Sequence, residues 1–585
     1  PLDPAAERNF EASLRTRAIP ILKGKEAEPP LVTLKMGDEI GAVAGPASIN
    51  GLETLKRSFH RYLREKLAER QTDAVSYYGS ENVEDLLYLG ETPENPGLFE
   101  RRLFYDCARY KFVLTAQYYA QLTRAAERVF PRVRTYCNFS PHPPMFGQQM
   151  NGSDWFVLTR EGGANMAWGE DWASGGSWGF VGREVVSYYG AWVECAARTR
   201  KLPSGFYVVG TMGGSDKKIF SLVPRGIDEY AMYSWGPLYA VADGQNSWSE
   251  NKIIYEEIAK GTHAVGPADA ILAKGQMEPR RAAVLYNRTH EIWNGGEGGF
   301  QSERLLEFMA LTHAHIPLEI ILEEDCTDER LAGYKVLYVQ GYNLEARRVA
   351  ALKRWVEAGG VLVGVAGTAM RDESDTPTAA GAELFGATQV IAGLSKGSWH
   401  PMQLPEHAPI DVLTLRESEL TPAMTVDLIG VKAELTPTTG KAVGAYSNGA
   451  CAAVVNTVGK GKTLLLGFMP GQLYKGTARG GSHYMLERRA LVTKPAEVAL
   501  GRMRVEFSEP LTEVWLFETD TQAAVTLNNA ATNAIEGKVT LSVQTARPVK
   551  EVVSSLKGPL AWTRDGDRIR VEMASPDPVD TVILR

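Results

Sequence analysis

A chain of 585 residues is too long for one core, and its 44% hydrophobic and 23% charged residues are ordinary for a globular protein. A net charge of −7 without a long basic run argues against nucleic acid as a partner, and no apolar stretch approaches the ~20 residues a membrane span needs. The five cysteines are widely spaced, with neither metal-type pairing nor a disulfide framework, so no metal and no cofactor is expected. The chain starts at Pro1 and carries no signal-peptide pattern, which leaves cytoplasmic, periplasmic and secreted locations equally open.

In chain order, a short helix is predicted near residues 5–17 and a first strand over 31–36, running into Gly37, Asp38 and Glu39. Charged helical sequence covers 51–70, and a long helical region covers 101–129. A second strand over 132–139 includes Asn138 and ends near His142. After a helix at 155–160, the apolar run 164–168 ends in Trp168, Glu170, Asp171 and Trp172. A helix over 183–200 follows, then strands over 206–210 and 229–235; the last leads to Trp235 and Tyr239. Residues 249–260 are helical. Five strands alternating with helices predict the later part of a (β/α)₈-type barrel, apparently lacking its first strands in this chain. An upstream segment or a companion chain is expected to supply them, because open barrel edges leave strand groups unpaired.

From about residue 281 the units shorten. Strands at 282–286, 318–322, 335–340 and 361–365 alternate with helices at 301–313 and 345–358, which predicts a doubly wound α/β domain closed by a hairpin at 452–467. Residues 370–440 are rich in Pro and Thr with weak periodicity. Beyond about 497, alternating runs predict a small antiparallel β-sandwich. The expected division is a barrel domain over 1–275, an amidotransferase-like α/β domain over 276–495 and a β-sandwich over 496–585.

This domain order, with YKVLYVQ at 334–340, WVEAGGVLV at 355–363 and GKGKTLLLG at 459–467, resembles the family-42 glycoside hydrolases, the trimer-forming β-galactosidases. The resemblance implies an amidotransferase-like trimerisation domain and a homo-oligomer, with a trimer as the expected form. Residues 363–368 carry no nucleophilic Cys, so glutaminase chemistry is not expected. The resemblance also implies an acid/base Glu in an Asn-Glu pair after the fourth barrel strand. Here Asp38 replaces the Asn and Glu39 stands at the Glu position. The nucleophile expected after the seventh strand is missing from residues 211–214, and Glu170 and Asp171 become the substitute candidates.

Cleaving a glycoside takes one carboxyl to protonate the leaving oxygen and another to attack the anomeric carbon or activate water. Asp38 or Glu39 paired with Glu170 or Asp171 fits that need, with Glu39 and Glu170 preferred. Trp168, Trp172, Trp235 and Tyr239 are candidate sugar platforms, and Asn138 and His142 candidate hydroxyl contacts. The plainer readings are a helix cap for Asp38-Glu39, core packing for the aromatics and solvated surface for Lys217 and Lys218. The expected function is hydrolysis of a glycosidic bond in an oligo- or polysaccharide. The alternative is a non-catalytic carbohydrate-binding or assembly protein.

Overall fold

The computed structural model describes residues 4–22, 33–140, 152, 154–171, 182–227, 229–233, 235–236, 248–295, 299–395, 407–477 and 482–585. The first sheet region holds five strands: β1 (Thr33–Asp38), β2 (Arg134–Asn138), β3 (Ala167–Glu170), β4 (Ser204–Val209) and β5 (Glu229–Tyr233). β1 pairs parallel with β2, β3 with β4 and β4 with β5. A parallel bridge between Phe139 and Gly169 joins β2 to β3. The result is a consecutive parallel arc in the order the sequence predicts. The central strands β3 and β4 are almost wholly buried, whereas β1 and β5 are half-exposed.

Helices pack on the outer face: α1 (Glu53–Arg70), α2 (Leu98–Val129), α3 (Trp155–Arg160) and α4 (Val185–Arg198). Helix α4 is apolar nearly all round, as a helix buried on every side must be. It lies between the arc and the middle of the chain. Trp192 packs on Trp155, Phe156 and Tyr286, and Tyr188 packs on Phe308. One continuous core therefore runs from the arc into the next domain. Buried ion pairs join the same two regions: Arg288 with Asp154, and Arg109 with Glu345.

The chain leaves the arc through α5 (Ser215–Leu222), α6 (Lys252–Val265) and β6 (Gln276–Met277). The division at residue 276 needs a local correction, because β6 pairs with a strand of the C-terminal sheet. The middle domain then supplies β7 (Ala282–Tyr286), α7 (Phe300–Thr312), β8 (Leu318–Leu322), β9 (Val336–Val339), α8 (Ala346–Glu357) and β10 (Val361–Gly364). Its outer part consists of β11 (Ala387–Leu394), β12 (Asp411–Leu415), β13 (Met424–Leu428), β14 (Val431–Pro437), β15 (Lys441–Tyr446), β16 (Cys451–Val458) and β17 (Gly461–Leu466). The parallel heart runs β8-β7-β9-β10-β17, a doubly wound order, and β16 closes it antiparallel. Gly459 turns this closing hairpin with φ +60°, and a Cβ there would lie 2.6 Å from the Glu357 carbonyl oxygen.

Residues 370–440 thus hold four strands where the sequence shows only weak periodicity. β11 and β14 pair with each other, as do β12 and β13. Leu413 and Leu415 of β12, Val426 and Leu428 of β13, and Val431 and Leu435 of β14 point inward at every second position, whereas β11 alternates only between exposed and half-buried positions after Ala387.

After α9 (Pro470–Lys475) and α10 (Ala490–Leu500), the chain ends in two antiparallel sheets around one apolar core. Their strands are β18 (Val505–Phe507), β19 (Glu513–Glu518), β20 (Ala523–Asn528), β21 (Lys538–Gln544), β22 (Val552–Ser554), β23 (Gly558–Pro559), β24 (Trp562–Asp565), β25 (Arg568–Ala574) and β26 (Val579–Leu584). The order β18-β21-β25-β24 faces β23-β22-β26-β20-β19-β6. Glu513 of β19 takes a buried ion pair from Arg225, which also lies over the Trp515 ring.

Candidate active site

Side chains of a strand alternate between faces, so residues two apart share one. On the inner face of the arc, Tyr136 leads to Asn138 and Trp168 leads to Glu170. Tyr136, Trp168 and Tyr207 form an aromatic floor, with Tyr136 stacked on Trp168 at 4.4 Å and the Tyr136 and Tyr207 hydroxyls 2.6 Å apart. One step closer to the strand ends lie Asn138 and Glu170. The Asn138 Nδ2 donates to Glu170 Oε2 at 2.6 Å and to Asp38 Oδ1 at 2.9 Å, so one amide ties two carboxyls together.

Asp38 is also paired with Lys35 at 2.7 Å. Burial opposes its ionisation, but Lys35 and the Asn138 amide outweigh that and hold its carboxyl below the usual range. Glu170 behaves oppositely. Burial, reinforced by the Glu39 and Asp38 carboxyls and resisted by Asn138, pushes it up to about 9. The Glu39 carboxyl stands beside that of Glu170 and adds to its rise by like-charge repulsion. Glu39 has φ +42°, a left-handed conformation that is uncommon for a non-glycine residue. A register shift between Lys35 and Gly37 precedes it, and its N–H donates to the Asn138 carbonyl. Two irregularities in β1 thereby bring Glu39 to Glu170.

The members of the second doublet part company. Asp171 points to the opposite face, is fully buried, pairs with Lys218 at 2.8 Å and accepts from the Val209 N–H. This corrects its candidacy: a carboxylate sealed in an ion pair behind the sheet has no access to a sugar. The same burial corrects the surface reading of Lys218 and Lys217. Lys217 donates to Gly213 and Asn533, and burial lowers its ammonium to about 8. Trp168 is also displaced from the role of open platform, being 4% exposed in the floor beneath Glu170. Trp235, just beyond β5, is 69% exposed, and its indole N–H donates to the Tyr255 hydroxyl. His142, Trp172 and Tyr239 lie outside the described residues.

Sequence reasoning missed Lys35, Tyr136 and Tyr207. Period-two extension backwards from Asn138 and Glu170 would have found the first aromatic pair, since it predicts the inner face directly. Among the described residues no group of three His, Cys, Asp or Glu side chains could hold a metal ion, and no helix is long and apolar enough to cross a membrane.

Comparison with known proteins agrees with this architecture. Residues 302–476 match the family described as the β-galactosidase trimerisation domain. The fold is similar to that of a β-galactosidase from Rahnella sp. R3, with a TM-score of 0.70 and 13% identity over 100% of this chain and 82% of that one. It is similar to a β-galactosidase from Bacillus circulans sp. alkalophilus, with a TM-score of 0.69 and 12% identity over 100% and 83%. An α-L-fucosidase isoenzyme from Paenibacillus thiaminolyticus gives a TM-score of 0.57 and 12% identity over 89% and 74%. No curated protein matches the chain by sequence. The chain thus carries a match to the β-galactosidase trimerisation domain in its middle and is similar in fold to β-galactosidases along its length.

Proposed function

We propose that this protein is a β-galactosidase-like glycoside hydrolase whose working carboxyls are Glu170 and Glu39. The observation that carries the reading is the elevated Glu170 carboxyl beside a second carboxyl at the strand ends. A carboxyl that keeps its proton at neutral pH is suited to protonate a leaving glycosidic oxygen. Glu39 then attacks the anomeric carbon or activates water. Asn138 fixes the Glu170 carboxyl, Lys35 keeps Asp38 ionised, and Trp235 offers an indole face to the sugar.

Paired carboxyls in glycosidases stand about 5–5.5 Å apart for retention and about 6.5–9.5 Å for inversion. Glu39 and Glu170 stand side by side at the strand ends. A sugar inserted between them separates the two groups and leaves the proton on Glu170, the more buried one. The test is hydrolysis of a panel of aryl glycosides. Glu170→Gln should abolish cleavage of glycosides with poor leaving groups while sparing dinitrophenyl glycosides, which need no protonation. Equal loss on both substrates would remove Glu170 from the acid role.

One observation favours a second reading, a carbohydrate-binding or assembly protein that has lost its nucleophile. Beyond β4 the chain runs through Val209, Gly210 and Thr211, with no carboxylate at the position where the resemblance implies one. Saturable sugar binding without turnover, insensitive to Glu170→Gln, would select it.

Two assembly features belong to the same proposal. Residues 302–476 mediate a homotrimer, which light scattering of the purified protein at micromolar concentration tests; a monomer rejects it. Closure of an eight-stranded barrel requires three more strands between β5 and β1, supplied by further polypeptide of the same gene product or a companion chain. Intact mass and N-terminal sequencing of active native material test this directly.

A further inference from the structure

The helix layer holds a second cavity that shares no residue with the carboxyl cluster. It lies between α1 and α2 and has a volume of 500 Å³. Arg57, Ser58 and Arg61 line one wall at helical spacing on α1, and Gln117 and Arg124 line the other on α2. Glu161 is the one acidic lining residue, and it already approaches Arg160 at 3.7 Å. Three guanidiniums thus converge on one cleft of a protein whose net charge is −7.

These arginines are poorly neutralised. Arg57 approaches Glu53 at 3.4 Å and Arg61 approaches Glu65 at 3.9 Å, both along the same helix and largely exposed. Such pairs contribute little and yield readily to a better acceptor. Arg124 has no ion-pair partner among the described residues. On the cavity wall Ser58 is 6% exposed, with its hydroxyl beside that of Tyr110. Weakly held guanidinium forks that face one cleft suit an oxygen-rich ligand.

We propose that this cleft binds a sugar-sized ligand bearing a phosphate, sulfate or carboxylate group. Guanidinium forks match the geometry of these oxyanions bidentately, and the volume lies in the range of small-molecule sites. Ser58 and Gln117 supply hydrogen bonds to the remainder of the ligand. The site is independent of the proposed hydrolytic chemistry.

Calorimetric titration of the purified protein tests the proposal. The probes are glucose 6-phosphate, galacturonate, inorganic phosphate, inorganic sulfate and neutral galactose, at fixed ionic strength. Saturable binding of at least one oxyanion probe is expected, weakened about tenfold or more by Arg124→Ala and further by Arg57→Ala with Arg61→Ala. These residues are exposed, so far-UV circular dichroism should be unchanged. Tighter binding of a sugar-borne oxyanion than of the free ion supports the proposal as stated. Equal or tighter binding of the free ion overturns the sugar part and leaves a free-ion site. Absence of saturation, or affinities indifferent to the arginine substitutions, overturns the whole. Glu170→Gln should leave the binding intact, which keeps this outcome separate from that of the hydrolase reading.

Discussion

Two carboxyl pairs in this molecule each hold a carboxyl raised by burial, and the two pairs stand in opposite surroundings. Glu39 and Glu170 meet at the strand ends of the arc, Glu170 half-buried and Glu39 exposed. Glu303 and Glu307 stand one turn apart on α7, each fully buried. Burial pushes Glu303 up to about 8 against two N–H donors, Gly471 and Gln472, and raises Glu307 beside it. Gln340 donates to Glu307. An elevated carboxyl is thus not in itself a site. In the middle domain the raised carboxyl is part of the packing; in the arc it stands at the strand ends beside an exposed carboxyl.

The sharpest test of that contrast is functional. Glu170→Gln should lower hydrolysis of a poor-leaving-group glycoside by about 10²–10⁴-fold, and Glu303→Gln should leave kcat/KM within about twofold. If the two variants lose activity alike, the comparison fails. Next in size is the sealed ion pair behind the sheet. Lys218→Met leaves Asp171 buried and unpaired and should destabilise the fold by about 3–5 kcal/mol in denaturant titration, whereas adding Asp171→Leu should recover much of the loss.

A smaller effect is expected from the α7 pair. A carboxyl that stays protonated when folded but ionises when unfolded makes the folded state the better proton binder. Its contribution is fully present below the unfolded value near 4.5 and fades as pH rises through the folded value, up to about 8 for Glu303. Tm should fall across that window, and Glu303→Gln should flatten the fall by about 2–4 °C. The smallest change is at the exposed indole. Trp235→Ala should raise KM a few-fold with kcat little altered, in line with about 0.5–1.5 kcal/mol for an aromatic contact.

The arc and the doubly wound heart were legible because buried parallel strands are continuous apolar runs separated by helices. The acidic strand ends were legible as well, but not which acid of each doublet faces inward. For Glu170 and Asp171 the answer is parity with Trp168, which alternation alone contains. For Asp38 and Glu39 parity fails, because a register shift and a positive φ intervene, and neither has a signature in residue type. Burial of Lys217 and Lys218 was equally invisible, since their side-chain partners, Asn533 and Asp171, are remote in sequence. The strands at 370–440 were missed because their alternation is short, five to eight residues at a time, and is interrupted by Pro- and Thr-containing connections.

The core shared by the arc and the middle domain also governs how the chain matures during synthesis. Trp192 rests on Tyr286, and Tyr188 on Phe308, so the face of α4 turned to the middle domain has no cover until β7 and α7 leave the ribosome. At about 5–20 residues per second, the roughly 120 residues between Tyr188 and Phe308 take some 6–24 s to emerge. Throughout that interval a nascent chain displays one uncovered aromatic face, which makes this stretch a natural station for a chaperone.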